Sequence, residues 1–182
     1  MNLFERQLRV QRGYGLLFLS AFLLLAGGVT ELSAQMKNRH VQSWELLTPK
    51  LSGKRGETVY AKIRFTLTPK AHLYTTMKYE GEGPNPTEIT FDTSFVQLNG
   101  AIESSSKPIL HFDPNFSVNS DSVYTEYWEG TVTLTIPLKI AKNAKRGKRT
   151  SWVNILFMTC DDKVCIPPMD QRFEIEFNVK KG

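Results

Sequence analysis

An all-β fold, an immunoglobulin-like antiparallel β-sandwich, is predicted by three features of this 182-residue chain. Several segments alternate apolar and polar residues with period two, and turns rich in Gly and Pro separate them. No stretch after residue 34 sustains apolar residues at i, i+3, i+4 and i+7 over three turns. At 41% hydrophobic and 11% aromatic residues the composition fills a core and excludes wholesale disorder. The net charge of +5, from 23 Lys and Arg against 18 Asp and Glu, is too small and too scattered for a nucleic-acid binder.

The amino terminus reads as an address. Arg6, Arg9 and Arg12 precede an apolar run from Gly15 to Ala26, shorter than the roughly 20 residues of a membrane-spanning helix. Small and polar residues follow, Thr30-Glu-Leu-Ser-Ala34, with Ala34 as the expected last residue before cleavage. Residues 1–34 are therefore expected to be a secretory signal peptide and 35–182 a single domain. Leu32 is a poor −3 residue, which leaves an uncleaved anchor as the alternative, and no cysteine stands near the cleavage point to carry a lipid. Export delivers the chain to an oxidising compartment, where a cysteine pair persists as a disulfide.

Glu57–Thr68 alternates strictly: Val59, Ala61, Ile63, Phe65 and Leu67 are expected on one face, with Tyr60, Lys62, Arg64 and Thr66 on the other. Thr131–Leu138 repeats the pattern with Val132, Leu134, Ile136 and Leu138 inward. Arg172–Val179 does so with Phe173, Ile175, Phe177 and Val179. Ser151–Thr159 is apolar on both faces and reads as a central strand. Shorter candidates at Val41–Leu47, Thr87–Phe91 and Phe95–Leu98 bring the expectation to about seven strands. The polar stretch Ser104–Tyr124, with isolated Phe112 and Phe116, reads either as a functional loop or as a surface excursion whose aromatics tuck onto the sheet. The basic residues Lys139, Lys142, Lys145, Arg146, Lys148 and Arg149 read as a solvated connection.

The two cysteines stand in Phe157-Met-Thr-Cys160-Asp-Asp-Lys-Val-Cys165-Ile-Pro-Pro168. A four-residue connection between strands can set Cys160 and Cys165 opposite each other within bridging distance. Such a bridge closes so short a loop that it adds less than the roughly 3 kcal/mol of a 15-residue one. It is thus badly placed as a staple and well placed as an exchangeable pair. Pro167 and Pro168 cannot donate to a ladder and are expected to hold the following segment at an edge, where a partner can approach. Two other readings stay open. One is a plain structural hairpin disulfide in a secreted binding module. The other is a Cu(I) site from Met158, Cys160, Cys165 and Met169, with His72 and His111 as possible additions; no zinc spacing is present. Asp161 and Asp162 disfavour a neighbouring thiolate, with Lys163 opposing them only in part, so the reduced pair is expected to react slowly with generic disulfides.

The Cys160-(x4)-Cys165-Ile-Pro-Pro168 motif resembles the amino-terminal periplasmic domain of DsbD, the thiol:disulfide interchange protein family. Lys70-Ala-His72-Leu73-Tyr74 is similar to that family's Gly-Trp/Tyr-His/Tyr-Leu-Tyr stretch. Trp128-Glu-Gly-Thr-Val-Thr-Leu-Thr-Ile-Pro137 is similar to its strand before the hairpin. The resemblance covers nearly all of residues 41–180. It implies an immunoglobulin-like periplasmic domain that takes electrons from a thioredoxin-like domain or membrane-embedded reductase. The electrons pass to disulfide isomerases or cytochrome c maturation proteins, without a cofactor. It further implies that Cys165 forms mixed disulfides, that Cys160 resolves them, and that a cap loop shields the pair. Phe112-Asp113-Pro-Asn-Phe116 occupies the corresponding stretch, with Phe116 as the shielding ring, Asp113 in the cap and Tyr74 near the pair. The best-known members have one more residue between the cysteines, a shorter loop and a consecutive acidic pair in the cap. With the chain ending at Gly182, the relay modules are expected on separate polypeptides.

Overall fold

The computed structural model describes residues 38–79, 83–113, 116–117 and 123–182. The expected signal peptide lies outside the described residues, as do Pro114 and Asn115 of the expected cap. The described residues form twelve strands and no helix: β1 (Val41–Leu46), β2 (Lys50–Lys54), β3 (Thr58–Leu67), β4 (His72–Tyr74), β5 (Glu88–Phe91), β6 (Val96–Leu98), β7 (Glu103–Ser104), β8 (Ile109–Phe112), β9 (Tyr124–Glu129), β10 (Thr131–Ile140), β11 (Gly147–Cys160) and β12 (Cys165–Lys180).

Two sheets stack as an immunoglobulin-like sandwich. One runs β1-β3-β10-β6, with β7 also on β10. The other runs β2-β12-β11-β4-β9-β8, with β5 also on β11. Every pairing is antiparallel except one: β2 lies parallel to β12, from Lys50 opposite Glu176 to Lys54 opposite Lys180. The sandwich is antiparallel as expected, and the second sheet is mixed only at this edge. The chain from β2 to β12 returns through the whole domain, so no hairpin dictates their relative direction.

Period-two alternation builds the core directly. On β3, Ala61, Ile63 and Phe65 are fully buried, and on β10 Val132, Leu134, Ile136 and Leu138 are too. They meet Val153, Ile155 and Phe157 of β11 and Ile175, Phe177 and Val179 of β12 in one continuous cluster. Phe173 packs at its margin, partly buried. Gly53 of β2 permits the close approach of that strand, since a Cβ there would lie 2.7 Å from Val59 Cγ1 and 3.0 Å from Ile140 Cδ1. Pro137 sits within the central β10, yet breaks no ladder. Its carbonyl accepts from Asn99 N–H at 2.9 Å, so its nitrogen faces the gap where the neighbouring chain passes from β6 to β7.

Twelve strands replace the expected seven because β2, β4, β7, β8 and β9 are short or polar on both sides and leave no alternating signal. Two of them bear on the site. β8 arises inside the segment read as a loop, and β4 follows a tight turn in which Ala71 N–H donates to Thr68 O at 3.1 Å. Pro69 and Lys70 occupy the turn's middle positions, and Lys70 has φ of 69°, the type II arrangement that ordinarily selects Gly or Asn there. The basic residues Lys142, Lys145, Arg146 and Lys148 are exposed as expected, while Arg149 lies over the Phe95 ring at 5.4 Å.

Candidate functional site

Cys160 ends β11 and Cys165 begins β12, and the two are joined as a disulfide. In the connection, Asp161 N–H donates to Val164 O at 3.0 Å, while the Asp161 carboxylate accepts the N–H groups of Lys163 and Val164, each at 2.8 Å. Such a side-chain-closed turn is what Asp does best. The pair one step outward is then non-hydrogen-bonded, the closest kind in an antiparallel ladder, and the two cysteine Cα atoms stand 4.0 Å apart.

Strand parity decides which way the bridge faces. Phe157 packs in the sandwich core, so Met158 and Cys160 project from the opposite, outer face of the seven-stranded sheet. Cross-strand partners share a face. Cys160 pairs with Cys165 on one side and with His72 on the other, and His72 pairs with Glu129. Two residues along, Tyr74 pairs with Tyr127. Tyr74, Met158 and Cys160 form a second buried cluster, separate from the main core, and Phe116, Tyr127 and Cys165 pack against it. Of the expected site residues the structure brings Cys160, Cys165, Tyr74, Phe116 and Asp113 together. Pro167 stands apart: it is exposed, and with Pro168 it forms a bulge opposite Met158, between the pairs Phe157–Met169 and Thr159–Ile166. Neither proline is asked for a ladder N–H there.

The two sulfur positions are unequal. Cys160 is flanked by β12 and β4 and is fully buried, whereas Cys165 lies on the sheet edge and is partly exposed. The Phe116 ring approaches Tyr74 edge-on, with centroids 6.1 Å apart. Its loop is tied down at the base: Ser117 Oγ donates to Asp113 O at 2.8 Å, Val123 N–H to Ser117 Oγ at 3.1 Å, and Asp113 N–H to Val123 O at 2.8 Å. Asp113 itself is buried and accepts from Tyr74 Oη at 2.8 Å and Thr125 Oγ1 at 3.1 Å. Burial first, and then the hydrogen bond to Asp113, raise the Tyr74 pKa far above a normal phenol, so Tyr74 is a fixed donor. His72 stacks on Tyr127 at 4.3 Å, and burial lowers its pKa despite the nearby Asp113, Asp162 and Asp161. It is therefore neutral near pH 7.

A group at the hairpin base has no signal in the sequence. His40 is buried, with Nε2 3.2 Å from Asp161 Oδ2 and Nδ1 3.3 Å from Thr159 Oγ1. Asn38 Nδ2 donates to Thr159 Oγ1 at 3.0 Å, and Asn38 Oδ1 accepts His40 N–H at 2.9 Å. These side chains reach across 121 residues to hold the turn beside the disulfide. The Asp161 pKa is lowered, mainly by its two backbone N–H donors and then by His40. On the outer face, a cleft of about 420 Å³ opens beside the hairpin, lined by His72, His111, Asp113, Tyr127, Glu129 and Asp161 among others.

The four-sulfur Cu(I) arrangement does not assemble. Met169 packs into the main core beside Phe157, while Met158 lies in the outer cluster, so the two thioethers are on opposite faces of the sheet. Met158 is buried, in the outer cluster and not in the main core.

No family model and no curated protein matches the chain. Among solved structures it is similar to a family 123 glycoside hydrolase from Clostridium perfringens, at 16% identity over 74% of this chain with a TM-score of 0.39. It is also similar to the periplasmic chaperone SfaE, at 10% identity over 76% of this chain with a TM-score of 0.37. A third likeness is to a PapD-like domain of human CEP192, at 11% identity, 85% coverage and a TM-score of 0.36. The chain spans 23% of the first, 58% of the second and 97% of the third.

Proposed function

We propose that this protein is an exported, periplasmic thiol–disulfide exchange carrier working through Cys160 and Cys165. The observation that carries the reading is the asymmetry of the bridge: a fully buried Cys160 and a partly exposed Cys165, beside a cluster against which Phe116 also packs, on a face that is not the main core. A staple for the sandwich has no reason to lie outside it.

The exchange balances in two steps. A thiolate of a thioredoxin-like or membrane-embedded reductase attacks Sγ of Cys165, the Cys160–Cys165 bond breaks, and Cys160 leaves as a thiolate that takes a proton. The second partner thiol, once deprotonated, attacks the partner sulfur of the mixed disulfide and releases Cys165, so two electrons and two protons enter the carrier while the partner is oxidised. The reverse sequence on an oxidised client, a disulfide isomerase or cytochrome c maturation protein, starts from Cys165 and is resolved by Cys160. Burial supports that division of roles, because an incoming sulfur reaches Cys165 more readily. Tyr74, its hydroxyl held by Asp113, packs against Cys160, and the neutral His72 is the cross-strand partner of Cys160, so neither adds a fixed charge beside a leaving thiolate.

Titration of the oxidised protein against thiol–disulfide buffers is the test. A carrier equilibrates above about −300 mV, while a bridge that stays closed below that value is structural and returns the chain to the secreted binding-module reading. Cys160→Ala is expected to capture a thioredoxin-like partner as a covalent adduct through Cys165. Cys165→Ala is expected to capture little, since Cys160 is buried; equal capture by both variants overturns the assignment of roles.

A further inference from the structure

The seven-stranded sheet ends at β8, Ile109-Leu-His-Phe112, and all four residues are exposed. Its register on β9 pairs Ile109 with Tyr127, Leu110 with Glu126, His111 with Thr125 and Phe112 with Tyr124. Asp113 N–H donates to Val123 O, so Asp113, His111 and Ile109 turn their main-chain groups toward β9. The N–H and C=O groups of Leu110 and Phe112 therefore point away from the sheet, and no described strand meets them. Open edges are ordinarily blunted with charges, prolines or bulges. The opposite edge has these devices in Pro167, Pro168, Asp170, Arg172 and Glu174, and β1 has a bulge between Val41 and Ser43. β8 has none of them, and its apolar side chains Leu110 and Phe112 are 61% and 41% exposed.

We infer that β8 is a docking edge for an extended segment of a partner protein, which adds to the sheet as a further strand carrying alternating basic and apolar residues. Main-chain hydrogen bonds to Leu110 and Phe112 supply the binding, in the manner of strand addition at other open edges. The basic character follows from the face beside the edge. The cleft there is lined by Asp113, Glu129, Asp161 and Asp162 against Lys70, on a chain whose overall charge is positive. A second copy of this chain joined edge to edge would bring two such acidic clefts together, which disfavours self-pairing. β8 lies three strands from Cys160, roughly 14 Å, within the span of one ordinary protein interface. Asp113, which closes the edge, also anchors the loop of Phe116. A strand seated on β8 thus lies beside the base of the Phe116 loop.

That the docked protein is a redox partner rests on the exchange proposed above, but the edge is tested without any thiol chemistry. The oxidised chain, with its disulfide intact, is titrated with the peptide Lys-Val-Lys-Val-Lys-Val and followed by amide NMR and hydrogen exchange. The Leu110 and Phe112 amides are expected to shift and to gain protection, with Glu-Val-Glu-Val-Glu-Val at least about tenfold weaker. Leu110→Pro removes an outward N–H and no bond within the sheet, and should weaken the basic peptide about tenfold while Leu110→Ala retains most of its binding. The protection measurement on the unsubstituted chain stands even if the proline variant fails to fold. Perturbation confined to other residues, equal binding of the acidic peptide, or no protection at Leu110 and Phe112 overturns the inference. A bridge that resists every reductant while the peptide still binds overturns the exchange reading alone.

Discussion

Truncating Phe116 to Ala removes the ring packed against the cluster of Tyr74, Met158 and Cys160 while leaving the loop's anchors in place, because the bonds at its base run through Asp113, Ser117 and Val123. The edge-on contact with Tyr74 contributes about 0.5–1.5 kcal/mol by its geometry. A fully buried phenyl would add about 1.5–3 kcal/mol, and since Phe116 is only partly buried about half of that applies here. Together these make about 2 kcal/mol holding the cap down, or about thirtyfold in the closed-to-open ratio. If a reductant must wait for the cap to open, reduction of oxidised Phe116→Ala by dithiothreitol should be about thirtyfold faster than that of the parent. Stopped reactions quenched in acid and counted by alkylation measure this rate, and a guanidinium titration confirms that the sandwich is unchanged. A rate within threefold of the parent would mean that Phe116 does not gate the sulfurs, and the covering role would be abandoned.

Tyr74→Phe deletes one donor to the buried Asp113 carboxylate, leaving Thr125 Oγ1 among its partners. A loss of about 1.5–3 kcal/mol in denaturant titration is expected, and a loss under 0.5 kcal/mol would show that solvent replaces the phenol. Asp161 has its pKa lowered by folding, so its ionised form stabilises the turn above the unfolded value near 3.9 and loses that effect as pH falls through the lower folded value. Asp161→Asn should therefore lower the melting temperature at pH 7, and the difference should vanish toward pH 2; a constant difference across that range contradicts the electrostatic account. Burial lowers the His72 pKa, so the neutral ring is the stable form, and stability should decline as pH drops below about 6.5. His72→Gln should flatten that decline in thermal melts from pH 7 to 5. Lys70→Gly should raise stability by about 0.5 kcal/mol, since glycine relieves a left-handed residue at some cost in unfolded-state entropy. A destabilised variant would show that the Lys70 side chain has a stronger role at the cleft.

Much of the framework was legible from the pattern of side chains. β3, β10 and the later half of β12 bury the residues that period two assigns inward, because a half-buried strand leaves that period in the chain wherever it is long enough. The strands that escaped notice have two to six residues, too few to separate a pattern from chance. β8 escaped for a second reason: a strand exposed on both faces has no alternation to find.

Local sequence was also enough to put two cysteines across a short connection, since turn length and Asp161 set that pairing within six residues. It was not enough to tell which face they occupy. That depends on parity along β11 and on the proline bulge opposite Met158, where one step more or less exchanges core for outer surface. Nor did it reveal Asn38 and His40 at the hairpin base, which arrive from the other end of the domain. Period and turn chemistry act between near neighbours and are written in order along the chain. The surroundings of the disulfide are assembled by strands that meet only after the sandwich has closed.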